Sequence, residues 1–231
     1  MLSIVIPVYN EQKAVGAVLQ EVIDILAPLD ISYEIIVVDD GSSDGSCEVC
    51  RAFSEVRLVR HETNRGTGAA RTSGVRAARG ELVIMTDADG TYPAAAIPQM
   101  IKRLETCDMV IGARQREMGT FKLLRSAAKE FIRRLACYLT RTQIPDLNSG
   151  LRGMKRELVL RYLHILPTTH SWVSPIPMAF LSDGLVVRWI PISYHKRIGH
   201  STFHPIPDSY NYLALVVRAI MYFNPLRVFL P

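Results

Sequence analysis

The chain has 231 residues, with 27 Lys+Arg against 22 Asp+Glu for a net charge of +5, and is 48% hydrophobic. This composition excludes a wholly disordered chain, and the length is enough to bury a core without disulfide staples. No run reaches the ~18 uninterrupted apolar residues of a bilayer-spanning helix, so nothing in the sequence reads as a transmembrane segment.

In chain order, the first 113 residues alternate between short β-branched runs and helical patterns. Ser3–Pro7 predicts a strand, and the surrounding Leu2–Val8 lacks the basic flank and cleavage site of a signal peptide. Ala14–Leu26 predicts a helix, with Val15, Val18, Leu19, Val22, Ile23 and Leu26 on one face. Tyr33–Asp39 is the second strand. Asp44 then reads as the N-cap of a helix carrying Cys47 and Cys50. That Cys-x-x-Cys has no second pair and no nearby histidine, so it reads as two buried small residues and not as a zinc site. Strands at Val56–Arg60, Glu81–Thr86 and Met109–Gly112 follow, separated by an Ala-rich helix at Gly66–Arg79 and a helix at Ala94–Leu104 behind Pro93. The order predicts an α/β sandwich around a mostly parallel sheet, whose ligands bind beyond the carboxyl ends of the strands.

After residue 113 the chain turns basic. Between Arg114 and Thr142 eight basic residues face only Glu117 and Glu130, a net +6, interleaved with Leu123, Leu124, Phe131, Leu135 and Leu139. A turn-rich loop at Asp146–Gly153, a helix at Lys155–Leu163 and a strand-like run at Leu185–Ile192 come next. From Pro205 the chain is punctuated by proline, with an apolar helical pattern at Tyr210–Phe223. Cationic, leucine-bearing helices lie in the headgroup plane of anionic membranes, so residues 117–141 and 207–229 are expected to form a membrane-facing patch. His200 and His204, next to Pro205, are not read as a metal pair, and Trp172 and Trp189 are read as core or interface anchors and not as base-stacking platforms.

The chemistry sits at the strand ends. Asp87-Ala-Asp89 leaves the fourth strand as two carboxylates two residues apart, a pattern suited to a hard divalent cation that shares its shell with phosphates. Asp39-Asp40 at the end of the second strand adds two more acids, and neighbouring carboxylates repel unless something positive or polar lies between them. Tyr9 and Glu11 after the first strand supply a stacking ring and another acid. Asn64-Arg-Gly66-Thr-Gly68 lacks the third glycine of a dinucleotide fingerprint and follows the third strand, so it reads only as a close backbone approach at a helix start.

Together these motifs resemble the family 2 glycosyltransferases over most of the chain. Ser3–Glu11, Tyr33–Asp44, Asn64-Arg-Gly66 and Asp87-Ala-Asp89 occur in the family's order and spacing. The resemblance implies a GT-A, Rossmann-like α/β/α domain at 1–205, with a nucleotide-sugar half at about 1–113 and an acceptor half at about 114–205. It also implies a juxtamembrane or interfacial helical segment at 206–231. Pro7, Tyr9, Glu11, Val38, Asp39 and Asp40 are implied to bind the nucleoside, with Ala88 against the nucleotide and Asp87 and Asp89 holding Mg²⁺ or Mn²⁺. Gly112-Ala-Arg114, Asp146–Arg152 and Lys196–Ser201 resemble more closely the polyprenyl-phosphate glycosyltransferases of the dolichol-phosphate-mannose-synthase kind. From these come Lys196 and Arg197 as donor-phosphate contacts, and Arg114, Arg125, Ser149 and Arg152 as acceptor residues. Two departures stand out: Thr91 where the family often has a metal-contacting Gln, and Thr202 where it often has Lys.

The expected activity is inverting, metal-dependent hexosyl transfer from GDP-mannose or a UDP-hexose to a polyprenyl phosphate, dolichyl or undecaprenyl. Asp89, Arg114 and Arg125 are the expected catalytic residues. The setting is the cytoplasmic membrane face, reached peripherally or through transmembrane helices missing from this chain. A lipid phosphate is already anionic and needs no general base, which suits a stretch in which residues 112–185 carry only Glu117, Glu130, Asp146, Glu157 and Asp183 as acids. Transfer to a saccharide or lipid hydroxyl is the rival within the family. A basic nucleic-acid-binding domain is the remote one, and it leaves the clustered carboxylates unexplained, so no nucleic-acid partner is expected. Oligomeric state is open.

Overall fold

Short, apolar, β-branched runs bounded by turn residues pair into the centre of the molecule, and the helices between them cover both faces. The computed structural model describes residues 1–115, 130, 133–138, 140–168 and 170–198. In order come β1 (Leu2–Val8), α1 (Val15–Leu26), β2 (Tyr33–Asp39), α2 (Ser46–Arg51), β3 (Val56–Arg60), α3 (Thr67–Ala77) and β4 (Leu82–Met85). A 3₁₀ turn at Ala94–Ala96 then leads to α4 (Ile97–Leu104), β5 (Met109–Arg114), β6 (Arg152–Lys155), α5 (Arg156–Tyr162), α6 (Pro175–Ser182) and β7 (Val187–Ile192). The strands form one seven-stranded sheet in the order β3-β2-β1-β4-β6-β5-β7. Among the described strands only β6 runs antiparallel to its neighbours.

Alternate residues of the central strands feed two cores. Ile4, Ile6 and Val8 of β1 pack with Val15, Leu19, Val22 and Leu26 of α1 and Ile97, Met100 and Leu104 of α4. Val5, Ile36 and Val38 face the other way, onto Ala70 and Val75 of α3, and that core continues to Val159, Trp172, Ile176 and Phe180. Gly74 lets α3 lie close on β1, since a Cβ there would collide with Val5. Cys47 and Cys50 are buried, unpaired thiols on α2, and burial pushes the Cys50 thiol up to about 12, so they are core residues as expected.

The expected strands at Tyr33–Asp39 and Val56–Arg60 match residue for residue, and the others match within a residue or two. The structure corrects two expectations and adds one helix. The helix expected at Ala94–Leu104 divides into a 3₁₀ turn and α4, because Pro98 in the first turn of α4 has no N–H and its ring crowds the carbonyl four residues back. The loop expected through Gly153 instead ends in β6, whose Arg152–Lys155 completes the sheet between β4 and β5. Helix α6, with prolines at its start, has no counterpart in the sequence reading. Trp172 is fully buried and Trp189 bonds within the fold, as expected of core anchors. Most of 117–141 and all of 207–229 lie outside the described residues, as do Arg125, His200 and His204. Among the described residues no helix is long and apolar enough to cross a membrane.

Candidate active site

Because β6 opposes its neighbours, its first residue lies where β4 ends. Arg152 is in register with Met85 of β4 and Ile111 of β5, so the 146–151 loop arrives on the carboxyl edge beside the segment that follows β4. Glu11 follows β1 on that edge, Asp39 ends β2, Asp87 and Asp89 follow β4, Arg114 ends β5, and Lys196 and Arg197 follow β7.

The acids there are gripped by two arginines. Arg71 of α3, 4% exposed, donates from Nη2 to Asp87 Oδ1 at 2.5 Å. Arg197 donates from Nη2 to Glu11 Oε1, and its Nη1 lies 3.6 Å from Asp89 Oδ2. Asp89 Oδ1 accepts from the Thr91 amide at 3.1 Å and the Thr91 hydroxyl at 2.6 Å. The Ile198 amide donates to the Asp89 carbonyl at 3.1 Å, so the chain after β7 is pinned along this turn. Burial raises the Glu11 carboxyl most; Arg197 pulls it back in part, and the charges of Asp89 and Asp87 push it further up. Asp89 is likewise raised, first by burial and then by Asp87, with the Thr91 hydrogen bonds opposing. Asp87 and Asp89 thus each work against a neighbouring carboxylate, a repulsion that a divalent cation relieves. Two carboxylates of hard oxygen donors fit Mg²⁺ or Mn²⁺. Among the described residues no group of three or more His, Cys, Asp or Glu could hold a metal, so such a cation needs further oxygens from phosphate or water.

Arg114 stands on the other side of the same edge. Its Nε and Nη2 donate to the two carboxylate oxygens of Asp146 at 2.7 and 3.0 Å, and its guanidinium lies 5.2 Å from the centre of the Tyr194 ring. Burial alone would raise the Asp146 carboxyl, but the Arg114 bonds outweigh it and hold it below the ordinary carboxylate value. Asp146 is thus an ionised, occupied acceptor and not a poised base. Tyr194 meets Tyr92 edge-on at 5.3 Å, and the Tyr92 hydroxyl accepts from the Gly150 amide at 2.7 Å. Gly150 lies so close to Asp87 that a Cβ would overlap its carboxylate. The acidic cluster and Arg114 are therefore linked through Tyr92, Tyr194 and the 146–150 loop.

Arg152 is fully buried, and its donors go to the carbonyls of Ser149 and Val173. It braces the 146–151 loop from behind. Trp189 Nε1 donates to the Asp146 carbonyl at 2.9 Å and holds the same loop from β7.

Residues 3–163 match the family model described as glycosyl transferase family 2. The chain belongs to that family. Among curated proteins, it is 27% identical to a dolichyl-phosphate β-glucosyltransferase of Dictyostelium discoideum, over 94% of this chain and 73% of that protein. It is 34% identical to an undecaprenyl-phosphate 4-deoxy-4-formamido-L-arabinose transferase of Aeromonas hydrophila, over 69% of this chain and 50% of that protein. The chain thus spans half to three quarters of the length of these relatives. Among solved structures, glucosyl-3-phosphoglycerate synthase from Mycobacterium tuberculosis, in complex with Mn²⁺, UDP and phosphoglyceric acid, superposes with a TM-score of 0.73 at 18% identity, covering 96% of this chain and 78% of that one. At that identity the likeness concerns the fold.

As a family 2 glycosyltransferase, the chain brings most of the expected residues to one edge. Pro7 and Val38, in register on β1 and β2, are buried; Tyr9 is half-buried; Ala88 is buried between the two acids; Lys196 is exposed beside Arg197. Ser149 is fully buried in the loop, and Arg125 lies outside the described residues. Asp39 Oδ1 accepts from the Ser42 amide, whereas its buried Oδ2 has no hydrogen bond, only Arg60 Nε at 3.3 Å. The N-cap of α2 is Gly45 and not Asp44 as expected; Asp44, one residue earlier, accepts from the Ser46 amide and also from the Gln12 amide, tying the α1 and α2 loops together. Arg71, Tyr92, Tyr194 and the pairing role of Asp146 were missed from sequence. The only hint of Arg71 is its place near the glycine-rich start of an Ala-rich helix.

Proposed function

We propose that this chain carries out inverting transfer of a hexosyl group from a nucleoside-diphosphate sugar, GDP-mannose or a UDP-hexose, to a polyprenyl phosphate at the cytoplasmic face of a membrane. The observation that carries the reading is the meeting of opposite charges on one strand edge: Glu11, Asp87 and Asp89 on one side, and Arg114 on the other, joined by Tyr92, Tyr194 and the 146–150 loop. The named activities of the curated relatives, on dolichyl and undecaprenyl phosphate, support the acceptor class.

Asp87 and Asp89 are the residues that would hold Mg²⁺ or Mn²⁺, which when bound neutralises charge on the departing diphosphate. Arg71 and Arg197 orient those carboxylates, and Lys196 and Arg197 lie where they can meet the donor phosphates. Pro7, Tyr9, Val38, Asp39 and Ala88 form the nucleoside side. Arg114, fixed in orientation by Asp146 and Tyr194, presents a guanidinium to the acceptor phosphate, and Arg125 is the second acceptor cation. An ionised phosphate oxygen attacks the anomeric carbon opposite the leaving diphosphate, so catalysis rests on positioning and charge and not on proton removal. Residues 1–205 form the catalytic unit in this reading, and 206–231 and the basic 117–141 segment face the lipid surface.

The test is a radiolabel transfer screen with GDP- and UDP-sugars, with and without polyprenyl phosphate, and with EDTA as control. The expected result is label in the organic phase that depends on polyprenyl phosphate and vanishes with EDTA. Label transferred only to sugar or lipid hydroxyls, or transfer to lipid phosphate that survives complete chelation, contradicts the reading.

A further inference from the structure

Behind the end of β2 lies a buried run of titratable groups that the proposed transfer does not use. Asp40 is 1% exposed and His61 7%. His61 Nδ1 lies 2.6 Å from Asp40 Oδ1, and its Nε2 lies 2.9 Å from Ser73 Oγ in α3. The Arg65 amide donates to Asp40 Oδ1 at 3.0 Å and the Gly66 amide to Asp40 Oδ2 at 2.7 Å. The His61 amide in turn donates to the Asp39 carbonyl at 2.9 Å. Two glycines make this approach possible: Gly66 at φ +96°, and Gly41 at φ +73°, where a Cβ would come within 2.7 Å of the Thr63 backbone. One imidazole thus joins the end of β2, the 61–66 loop and α3, the helix whose Arg71 grips Asp87.

The hydrogen bonds fix the roles. A carboxylate only accepts, so His61 Nδ1–H donates to Asp40, and in the neutral ring Nε2 is left to accept from the Ser73 hydroxyl. The order Asp–His–Ser is also that of hydrolytic triads. Ser73, however, sits inside α3, where the neighbouring main-chain N–H groups are spent on helix bonds and are not left to form an oxyanion hole.

We propose that Asp40, His61 and Ser73 form a positioning relay for the nucleoside subsite, in which His61 aligns Asp40, Asp40 clamps the 64–66 loop, and Asp39 is left as the β2 carboxylate that meets the base. This rests on the donor reading above. It changes the role of Asp40 from a contact to a support, since the donors to both its oxygens come from the protein itself. Asp39 Oδ2, buried beside it without a hydrogen bond, retains acceptor capacity for a ligand.

Calorimetric titration of the full chain with UDP and with GDP in the presence of Mg²⁺, alongside thermal melting, tests this. His61→Leu keeps the bulk and removes the donor, and should weaken the Kd of whichever nucleotide binds by about tenfold, the scale of one lost hydrogen bond to a charged group. His61→Asn, whose amide N–H reaches Asp40 from nearly the Nδ1 position, should restore affinity to within about threefold. Folded His61→Leu with wild-type affinity, or equal losses in both variants, overturns the relay and leaves the donor reading standing. Wild-type protein that binds neither nucleotide overturns the donor reading and the relay with it. Should His61→Leu not fold, the Asp-bonded imidazole proton of the unaltered chain decides by NMR: a shift on nucleotide addition supports the relay, and an unchanged resonance overturns it.

Discussion

The two halves of the sheet deliver their functional residues in different ways. In the β3-β2-β1-β4 half every pairing is parallel, and β1, β2 and β4 hand their acids directly to the carboxyl edge. In the β6-β5-β7 half a short antiparallel strand from much later in the chain is inserted beside β4, and it is this strand that brings the 146–151 loop to the same edge. The acidic side, the donor side of the proposed transfer, is therefore set by local strand ends. The Arg114 side, its proposed acceptor side, is set by long-range bracing: Arg152 beneath the loop, Trp189 behind it, and Tyr92 and Tyr194 between it and the acids. Substitutions should accordingly separate chemistry from stability on the donor side and couple the two on the acceptor side.

The largest expected effect is on the donor side. Asp87→Asn or Asp89→Asn should lower transfer by about a thousandfold or more, the scale of losing metal-assisted charge stabilisation. Thermal melting without ligand should hold or rise for Asp89→Asn, because burial and the charge of Asp87 already disfavour its ionised form. A fall in both activity and melting temperature would break the contrast. Arg152→Ala should show the opposite coupling. It leaves the Ser149 and Val173 carbonyls unpaired around a void and should cost about 3 kcal/mol in a denaturant titration, with transfer falling in step.

Gly150→Ala sharpens the point at which the halves touch. Its Cβ must displace the Asp87 carboxylate, so transfer should drop by about tenfold, and the melting temperature should fall with it because Gly150 is buried in the braced loop. The smallest effect is expected from pH. Folding depresses the Asp146 carboxyl below its ordinary 3.8, so its contribution to stability is complete above that value and is lost as pH falls through the depressed one. Asp146→Asn should flatten that part of the acid unfolding curve while leaving the pH dependence above it unchanged.

The same contrast explains what could be read from sequence. Tyr33–Asp39 and Val56–Arg60 are contiguous β-branched runs with polar ends, and their chemistry lies at those ends, so strand and acids were legible together. Arg152–Lys155 is four residues, two of them charged, and resembles a turn; only the register with β4 and β5 makes it a strand. Arg71 and Asp87 sit on separate elements, and no periodicity signals that they meet. Thr91 shows the limit of family spacing: it stands where a metal-contacting Gln was missed, and its hydroxyl instead holds the Asp89 carboxylate. The bonds of Asp40 to His61 and to the 65–66 amides likewise join separate segments that no spacing signals.

The central claim is that the acids and Arg114 serve opposite partners in one transfer, and Arg114→Ala tests it most directly. Nucleotide Kd and sugar transfer to polyprenyl phosphate are measured on the same folded protein. The account predicts a nucleotide Kd within about twofold of wild type and transfer reduced by at least about a hundredfold, the loss of a charge-assisted phosphate contact. Full transfer, or loss of nucleotide binding in parallel with transfer, contradicts it.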